Sequence, residues 1–175
     1  ELMFSSRRIL PDGVMARLTE TRVQNPEFAA ERAAARVRRE RLAPDGKLNI
    51  LAADHPGRRV TKVGEDALAM ADRQEYLARI IRVLTAPGVD GLMATMDILE
   101  DLLTLDAFFR EAGSPSLLDG KVLIASLNRA GLAGCSWELD DAITGPDPAA
   151  CAAWRLDGVK VLLRIADEDP GSLKT

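Results

Sequence analysis

Two residues able to transfer protons follow a short apolar run in the first half of the chain. The segment LNILAADHPGRR, residues 48–59, indicates a buried strand from Leu48 to Ala53 that leads into Asp54 and His55. Carboxylate and imidazole groups both serve as general acids and bases. Asp, Pro and Gly also favour a simple turn. Asp54 is thus a candidate catalytic residue, and His55, the only histidine, is either a substrate-binding residue or a packed loop residue.

A lysine stands inside another apolar run near the end of the chain. Lys160 is flanked by Val159 and by Val161, Leu162 and Leu163, which predicts a strand buried on both faces. A buried ammonium group must pair with a carboxylate or have its pKa lowered. We therefore consider an active-site amine that meets Asp54. The alternative is a lysine whose charged end reaches the strand end and forms a structural ion pair.

The elements that would position these residues follow an alternating pattern. Strand-like runs lie at Leu48–Ala53, Gly91–Met96, Lys121–Ser126 and Gly158–Ile165. Predicted helices separate them: the first has apolar residues at helical spacing that include Leu68 and Tyr76, and the last is opened by Asp147 and Pro148. This alternation predicts an α/β protein whose parallel strands are adjacent in the order 1-2-3-4. The predicted strand starts, at residues 48, 89, 121 and 157, are 41, 32 and 36 residues apart. These steps fit the roughly 31 residues per unit of a (β/α)8 barrel when loop extensions are added. Either an open four-stranded sheet or the first half of a barrel is expected.

Polar groups follow the other predicted strands as well. In parallel α/β folds, functional residues collect at the C-terminal ends of the strands. We therefore expect substrate-binding roles for Asp97, Arg129 and Arg164, in addition to His55. Asp97 could instead cap a helix that begins at Ile98, and Arg129 could form a salt bridge within its loop. The third strand also ends in Ser126 and Asn128.

The first part of the chain predicts a helical extension. Asn25 and Pro26 are typical of a helix start, the following alanines and arginines favour helix, and Pro44-Asp45-Gly46 ends it. The run RVRRER indicates a solvated helix surface. We assign residues 1–47 to this extension and expect residues 48–175 to be the first half of a (β/α)8 barrel.

Composition and charge argue against several classes of protein. The 175 residues are 47% hydrophobic and 29% charged, as in a soluble globular domain. A net charge of -4 argues against a nucleic-acid-binding protein, and we find neither a signal peptide nor a membrane-spanning run. The two cysteines, Cys135 and Cys151, are predicted to be reduced in a cytoplasmic protein. No ligand cluster predicts a metal, and we expect no cofactor.

Four segments together resemble a known group of enzymes. ILAADHPGR, DGLMATMDILEDL, KVLIASLNRAGLAG and DGVKVLLRIADEDPGSL are similar to an aldolase-like barrel group associated with inositol catabolism. That group lies near the class I deoxyribose-phosphate, archaeal-type fructose-bisphosphate and tagatose-bisphosphate aldolases. The resemblance implies a (β/α)8 barrel lyase that uses a lysine Schiff base and no metal. In it, Asp54 matches the proton-transferring aspartate of the first strand. Lys160 matches a fourth-strand lysine that assists catalysis or holds substrate.

The resemblance also implies a catalytic lysine that the four predicted strand-helix units do not supply. The Schiff-base lysine of such enzymes usually lies on the sixth strand, and this sequence supplies about four strand-helix units. We expect completion by a C-terminal half, or a homo-oligomer, and a small sugar or keto-acid substrate with or without a phosphate. A non-catalytic sugar-phosphate-binding regulator remains an alternative, since fold does not determine function. So does a metal-independent isomerase that uses Asp54 and Lys160.

Overall fold

The computed structural model describes residues 4–128 and 145–162. Within these ranges the chain forms four strands and five α-helices. Two short 3-10 turns, Ser6–Arg8 and Pro56–Arg58, accompany them. In chain order the elements are α1 (Val14–Gln24), α2 (Phe28–Ala35), β1 (Ile50–Ala53), α3 (Arg73–Leu84), β2 (Gly91–Ala94), α4 (Met96–Glu111), β3 (Val122–Ser126), α5 (Pro148–Ala153) and β4 (Gly158–Lys160).

The four strands form one parallel sheet in the order β1-β2-β3-β4. The α/β class, the parallel pairing and the strand order are therefore confirmed. Ala53 pairs with Ala94, Ala94 with Ala125, and Ser126 with Lys160. This register brings the C-terminal ends of all four strands to one edge of the sheet.

The predicted burial of β4 on both faces is wrong. Val159 and Val161 are 46% and 55% exposed. The reason is positional, because β4 is the outer strand of the described sheet and pairs there with β3 alone. The strand ends at Lys160. Of the run predicted to reach Ile165, residues 163–165 lie outside the described part.

The core lies between the sheet and the helices that follow its strands. Strand residues Leu92 and Leu123 are fully buried, and so is Leu102 of α4. The N-terminal helices α1 and α2 pack on α4, and Leu18 and Ala33 belong to the same apolar cluster as the sheet. Among the described residues, no helix combines the length and apolarity needed to cross a membrane.

Local capping chemistry explains several helix ends. The Asp147 side chain accepts a hydrogen bond from the Ala150 amide and Pro148 occupies the first turn, so the predicted start of α5 is confirmed. Asp72 caps α3 in the same way. Leu68, predicted to belong to the apolar face of that helix, precedes it and is 69% exposed.

The predicted N-terminal helix stops earlier than Pro44. Helix α2 ends at Ala35, and Arg36 is extended, with φ -61° and ψ 137°. Arg36 is 4% exposed, and its Nη2 donates to Asp157 at 2.9 Å while its Nη1 donates to the Lys121 carbonyl at 2.7 Å. The expectation of a solvated arginine surface is therefore wrong for Arg36. These tertiary bonds outweigh the helix propensity of the segment.

Candidate functional site

The site is centred on an ion pair between the two outer strands. Asp54 directly follows β1 and Lys160 is the last residue of β4. The Lys160 Nζ donates to the Asp54 Oδ2 at 2.8 Å. In a flat sheet these strands would lie about 14 Å apart, three steps of about 4.8 Å, farther than the two side chains can bridge. The sheet must therefore curve around this pair.

Asp54 is 2% exposed, and its surroundings favour the charged carboxylate. Burial by itself raises the pKa of Asp54. The hydrogen bond and charge of Lys160, the charge of Arg58 and a 3.2 Å hydrogen bond from the Ser126 hydroxyl outweigh burial and lower that pKa below its usual value. A carboxylate that remains ionised can accept a proton from a bound ligand.

His55 and Arg58 lie beside Asp54 at the same end of the sheet. The His55 Nδ1 lies 3.9 Å from the Asp54 Oδ1, and the Arg58 Nε lies 3.8 Å from the Asp54 Oδ2. The turn that carries Arg58 packs tightly on the end of β2, since a Cβ added at Gly57 would lie 2.5 Å from the Thr95 Cγ2. The sequence pattern at the end of β1 did not by itself indicate a role for Arg58. Its spacing of four residues from Asp54 was a usable signal.

Tyr76 of α3 also lies near the aspartate. It is 6% exposed, and burial together with the negative charge of Asp54 raises the pKa of Tyr76 to about 12. The phenol is therefore neutral near pH 7. The sequence indicated only an apolar helix position for Tyr76, because its proximity to Asp54 arises from packing between α3 and β1.

Asn128 holds the end of β4 in place. Its Nδ2 donates to the Leu162 carbonyl and its Oδ1 accepts from the Leu162 amide, both at 2.9 Å. The Leu127 amide donates to the Lys160 carbonyl at 2.9 Å. These bonds continue the β3–β4 pairing beyond Lys160 and restrain its backbone. The sequence placed Asn128 at the strand end without indicating this role.

The remaining predicted site residues do not join the pair. Asp97 lies in the first turn of α4 and its side chain is 61% exposed, with Arg73 donating to it at 2.8 Å. The N-cap of α4 is Thr95, so the predicted capping role of Asp97 is wrong. Its substrate-binding role stays a prediction. Arg129 and Arg164 lie outside the described residues.

A metal site is not evident in the part of the chain that the structure describes. Residues 4–128 and 145–162 contain no group of three or more His, Cys, Asp or Glu side chains arranged to hold an ion. The corner formed by Asp54, Lys160, Arg58, Ser126 and His55 presents a carboxylate, an ammonium group, a guanidinium, a hydroxyl and an imidazole at the ends of strands or in the following turn.

Comparison with known proteins places the chain in a family. No curated protein matches it. The crystal structure of Cgl0159 from Corynebacterium glutamicum is 41% identical, with a TM-score of 0.79, and the match covers 91% of this chain and 50% of that one. The chain thus spans about half the length of that relative. The sequence model of the Cgl0159-like family matches residues 46–175, and the chain belongs to the Cgl0159-like family.

Proposed function

We propose that this chain contributes to a class I aldolase-like lyase that makes or breaks a carbon–carbon bond in a small sugar or keto-acid derivative. The observation that carries the proposal is the buried Asp54 carboxylate bonded to the Lys160 ammonium at a shared strand end. The resemblance of the surrounding segments to class I aldolases supports it. The link to inositol catabolism rests on that resemblance, the cytoplasmic location rests on the cysteine content, and both stay predictions.

The chemistry assigns distinct roles to the two residues. In a class I mechanism an unprotonated lysine amine adds to the substrate carbonyl, water leaves, and the iminium accepts the electron pair of the breaking bond. Asp54 would accept and return the protons of these steps. Lys160 would keep Asp54 ionised and lower the pKa of a nearby Schiff-base amine by charge repulsion. We place that amine on a later strand of the whole protein.

We also propose that the strands form the first half of a (β/α)8 barrel. The contact between β1 and β4 requires strong curvature, as in a barrel wall. Beside β1, the other outer strand of the described sheet, lies an apolar groove of about 470 Å³ that is lined by residues including Leu51, Val60 and Ile80. Apolar surfaces of this kind and unpaired strand edges need covering. The other half of a longer polypeptide, or a second copy, would cover them.

Borohydride trapping tests the lyase proposal in the full-length protein. With a carbonyl substrate and sodium borohydride, we expect a covalent adduct on a lysine, located by peptide mass spectrometry. Lys160→Met and Asp54→Asn should both reduce turnover strongly, because the methionine has no charge and the amide cannot carry the proton. Lys47→Met, which removes an exposed lysine before β1, is the control and should keep normal turnover.

The outcomes separate the alternatives. Near-normal turnover in both site variants would reject this corner as the active site. If the site variants lose the folded state, and do not lose turnover while still folded, Asp54 and Lys160 only hold the strands together. Substrate conversion without an adduct would favour the isomerase, and binding without conversion would favour the non-catalytic regulator.

A further inference from the structure

We propose that Arg58 binds an anionic oxygen group of the ligand, a carboxylate or a phosphate, beside Asp54 and Lys160. The inference deepens the proposed function and rests on it in one respect, since both place the ligand at this end of the strands. Arg58 would be a specificity-determining residue, because it would distinguish anionic carbonyl compounds from neutral ones.

The first argument is an unsatisfied hydrogen-bond donor. The Arg58 Nε is buried and has no hydrogen-bond partner among the described residues. Its distance of 3.8 Å from the Asp54 Oδ2 is too long for a hydrogen bond. Buried donors are nearly always paired, and one left unpaired in a native protein calls for an explanation. A ligand oxygen would supply the missing acceptor.

The second argument is charge. The Asp54 Oδ2 already accepts from Lys160 and from Ser126. Arg58 adds a second cation beside Asp54, so Asp54, Lys160 and Arg58 together carry a net charge of +1. A guanidinium presents a planar set of donors that matches carboxylate and phosphate oxygens. An anionic ligand group would therefore satisfy both the charge and the geometry.

The third argument is placement. The Arg58 amide donates to the His55 carbonyl at 2.9 Å, and the Val60 amide donates to the same carbonyl at 3.1 Å. The turn is also held against Thr95 at Gly57. The Arg58 side chain is 20% exposed. The backbone that carries Arg58 is thus held in place while part of its side chain reaches solvent, which limits the entropy lost on binding.

Titration calorimetry with small anions tests the proposal without turnover. The probes are inorganic phosphate and acetate, added to the full-length protein and to Arg58→Met and Arg58→Lys. We expect at least one probe to bind saturably, and Arg58→Met to weaken it about tenfold or more, as for a lost charged hydrogen bond. Arg58→Lys should bind between the two. The probe that binds identifies the carboxylate or the phosphate as the source.

A matched control separates a specific site from general charge. Arg41→Met removes the same charge from an exposed position two residues beyond Arg39, whose side chain is bonded at the other end of the strands. Unchanged binding in this control is expected. Equal weakening in both methionine variants, or full binding by Arg58→Met, would overturn the proposal. So would the absence of saturable binding of either probe to the unmodified protein.

Thermal unfolding of each variant shows whether a loss of anion binding comes from a loss of the folded state. Should Arg58→Met fail to fold, the comparison passes to Arg58→Lys, which keeps the charge and loses the planar fork. Binding by that variant equal to the unmodified protein would then overturn the proposal. Failed borohydride trapping together with Arg58-dependent anion binding would reject the lyase and leave this inference standing.

Discussion

Replacing Lys160 with methionine removes the cation that neutralises a buried carboxylate. Asp54 would remain 2% exposed, with the Ser126 hydroxyl as a hydrogen-bond donor and the Arg58 Nε at 3.8 Å. Methionine has a similar length and no charge, so the change isolates the ion pair. We expect the variant to be less stable than the unmodified protein at pH 7.

The expected loss follows from the burial of the two partners. Removing one partner of a fully buried ion pair costs about 3–5 kcal/mol. The Lys160 side chain is 21% exposed, so solvent screens part of the interaction, and Arg58 still offsets part of the remaining charge. We therefore expect the free energy of unfolding to fall by about 2–3 kcal/mol at pH 7.

The pH dependence has a definite sign. In the unmodified protein the pKa of Asp54 is lowered, so its stabilising contribution is present above the unfolded pKa of about 3.9 and is lost as the pH falls through the lowered folded value. In the variant, burial is no longer offset by Lys160, and the pKa of Asp54 should rise. The carboxyl then protonates at a higher pH. The stability difference between the two proteins should therefore shrink as the pH falls.

Urea unfolding followed by circular dichroism, at pH 7 and at pH 4 on the full-length proteins, measures both effects. The double variant Asp54→Asn/Lys160→Met should recover part of the lost stability, because it leaves no uncompensated charge. Lys47→Met is the control for loss of a lysine. A difference below about 0.5 kcal/mol at pH 7, the range of ordinary surface substitutions, or an equal difference at both pH values, would refute the reasoning.

Three further changes test other contacts of the fold. Gly57→Ala would place a methyl group 2.5 Å from the Thr95 Cγ2, and we expect a loss of about 1–3 kcal/mol in urea unfolding from overpacking. Arg36→Met would break a buried pair with Asp157, each side chain being 2% exposed, and should cost about 3–5 kcal/mol in the same assay. Because the pKa of Tyr76 is raised to about 12 from 10.0, its contribution is complete below pH 10 and is lost as the pH rises toward 12. Alkaline unfolding of Tyr76→Phe should lack that part of the decline.

Each of these measurements has a control in the chain. Thr95→Ser removes the methyl group that Gly57→Ala would meet, so the double variant should regain stability, and a failure to do so would contradict the steric explanation. Arg38→Met breaks an ion pair to the same Asp157 in which the arginine side chain is 38% exposed, and it should cost less than about 1 kcal/mol. An equal cost for Arg36→Met would argue against a buried pair. An identical alkaline decline with and without the Tyr76 hydroxyl would contradict the raised pKa.

The features predictable from sequence depend on near neighbours in the chain. Alternating strands and helices indicated the α/β class and the strand order, and both are confirmed. The start of α5 followed from Asp147 and Pro148, whose effects reach only the first helical turn. Asp54 was placed correctly at the end of β1 because an apolar run followed by a turn is also a local signal.

The features that required the tertiary structure join distant residues. Arg36 leaves a strongly helical segment because it bonds to Asp157, 121 positions away, and no propensity of its neighbours predicts that pairing. The sequence allowed Lys160 to meet Asp54, but only the curvature of the sheet brings these residues of the outer strands to 2.8 Å. Arg58 lies near the same carboxylate because of the turn after β1, and Tyr76 lies near it because α3 packs on β1. The strength of an electrostatic interaction depends on the distance between the charged groups in space, and only the folded chain determines that distance.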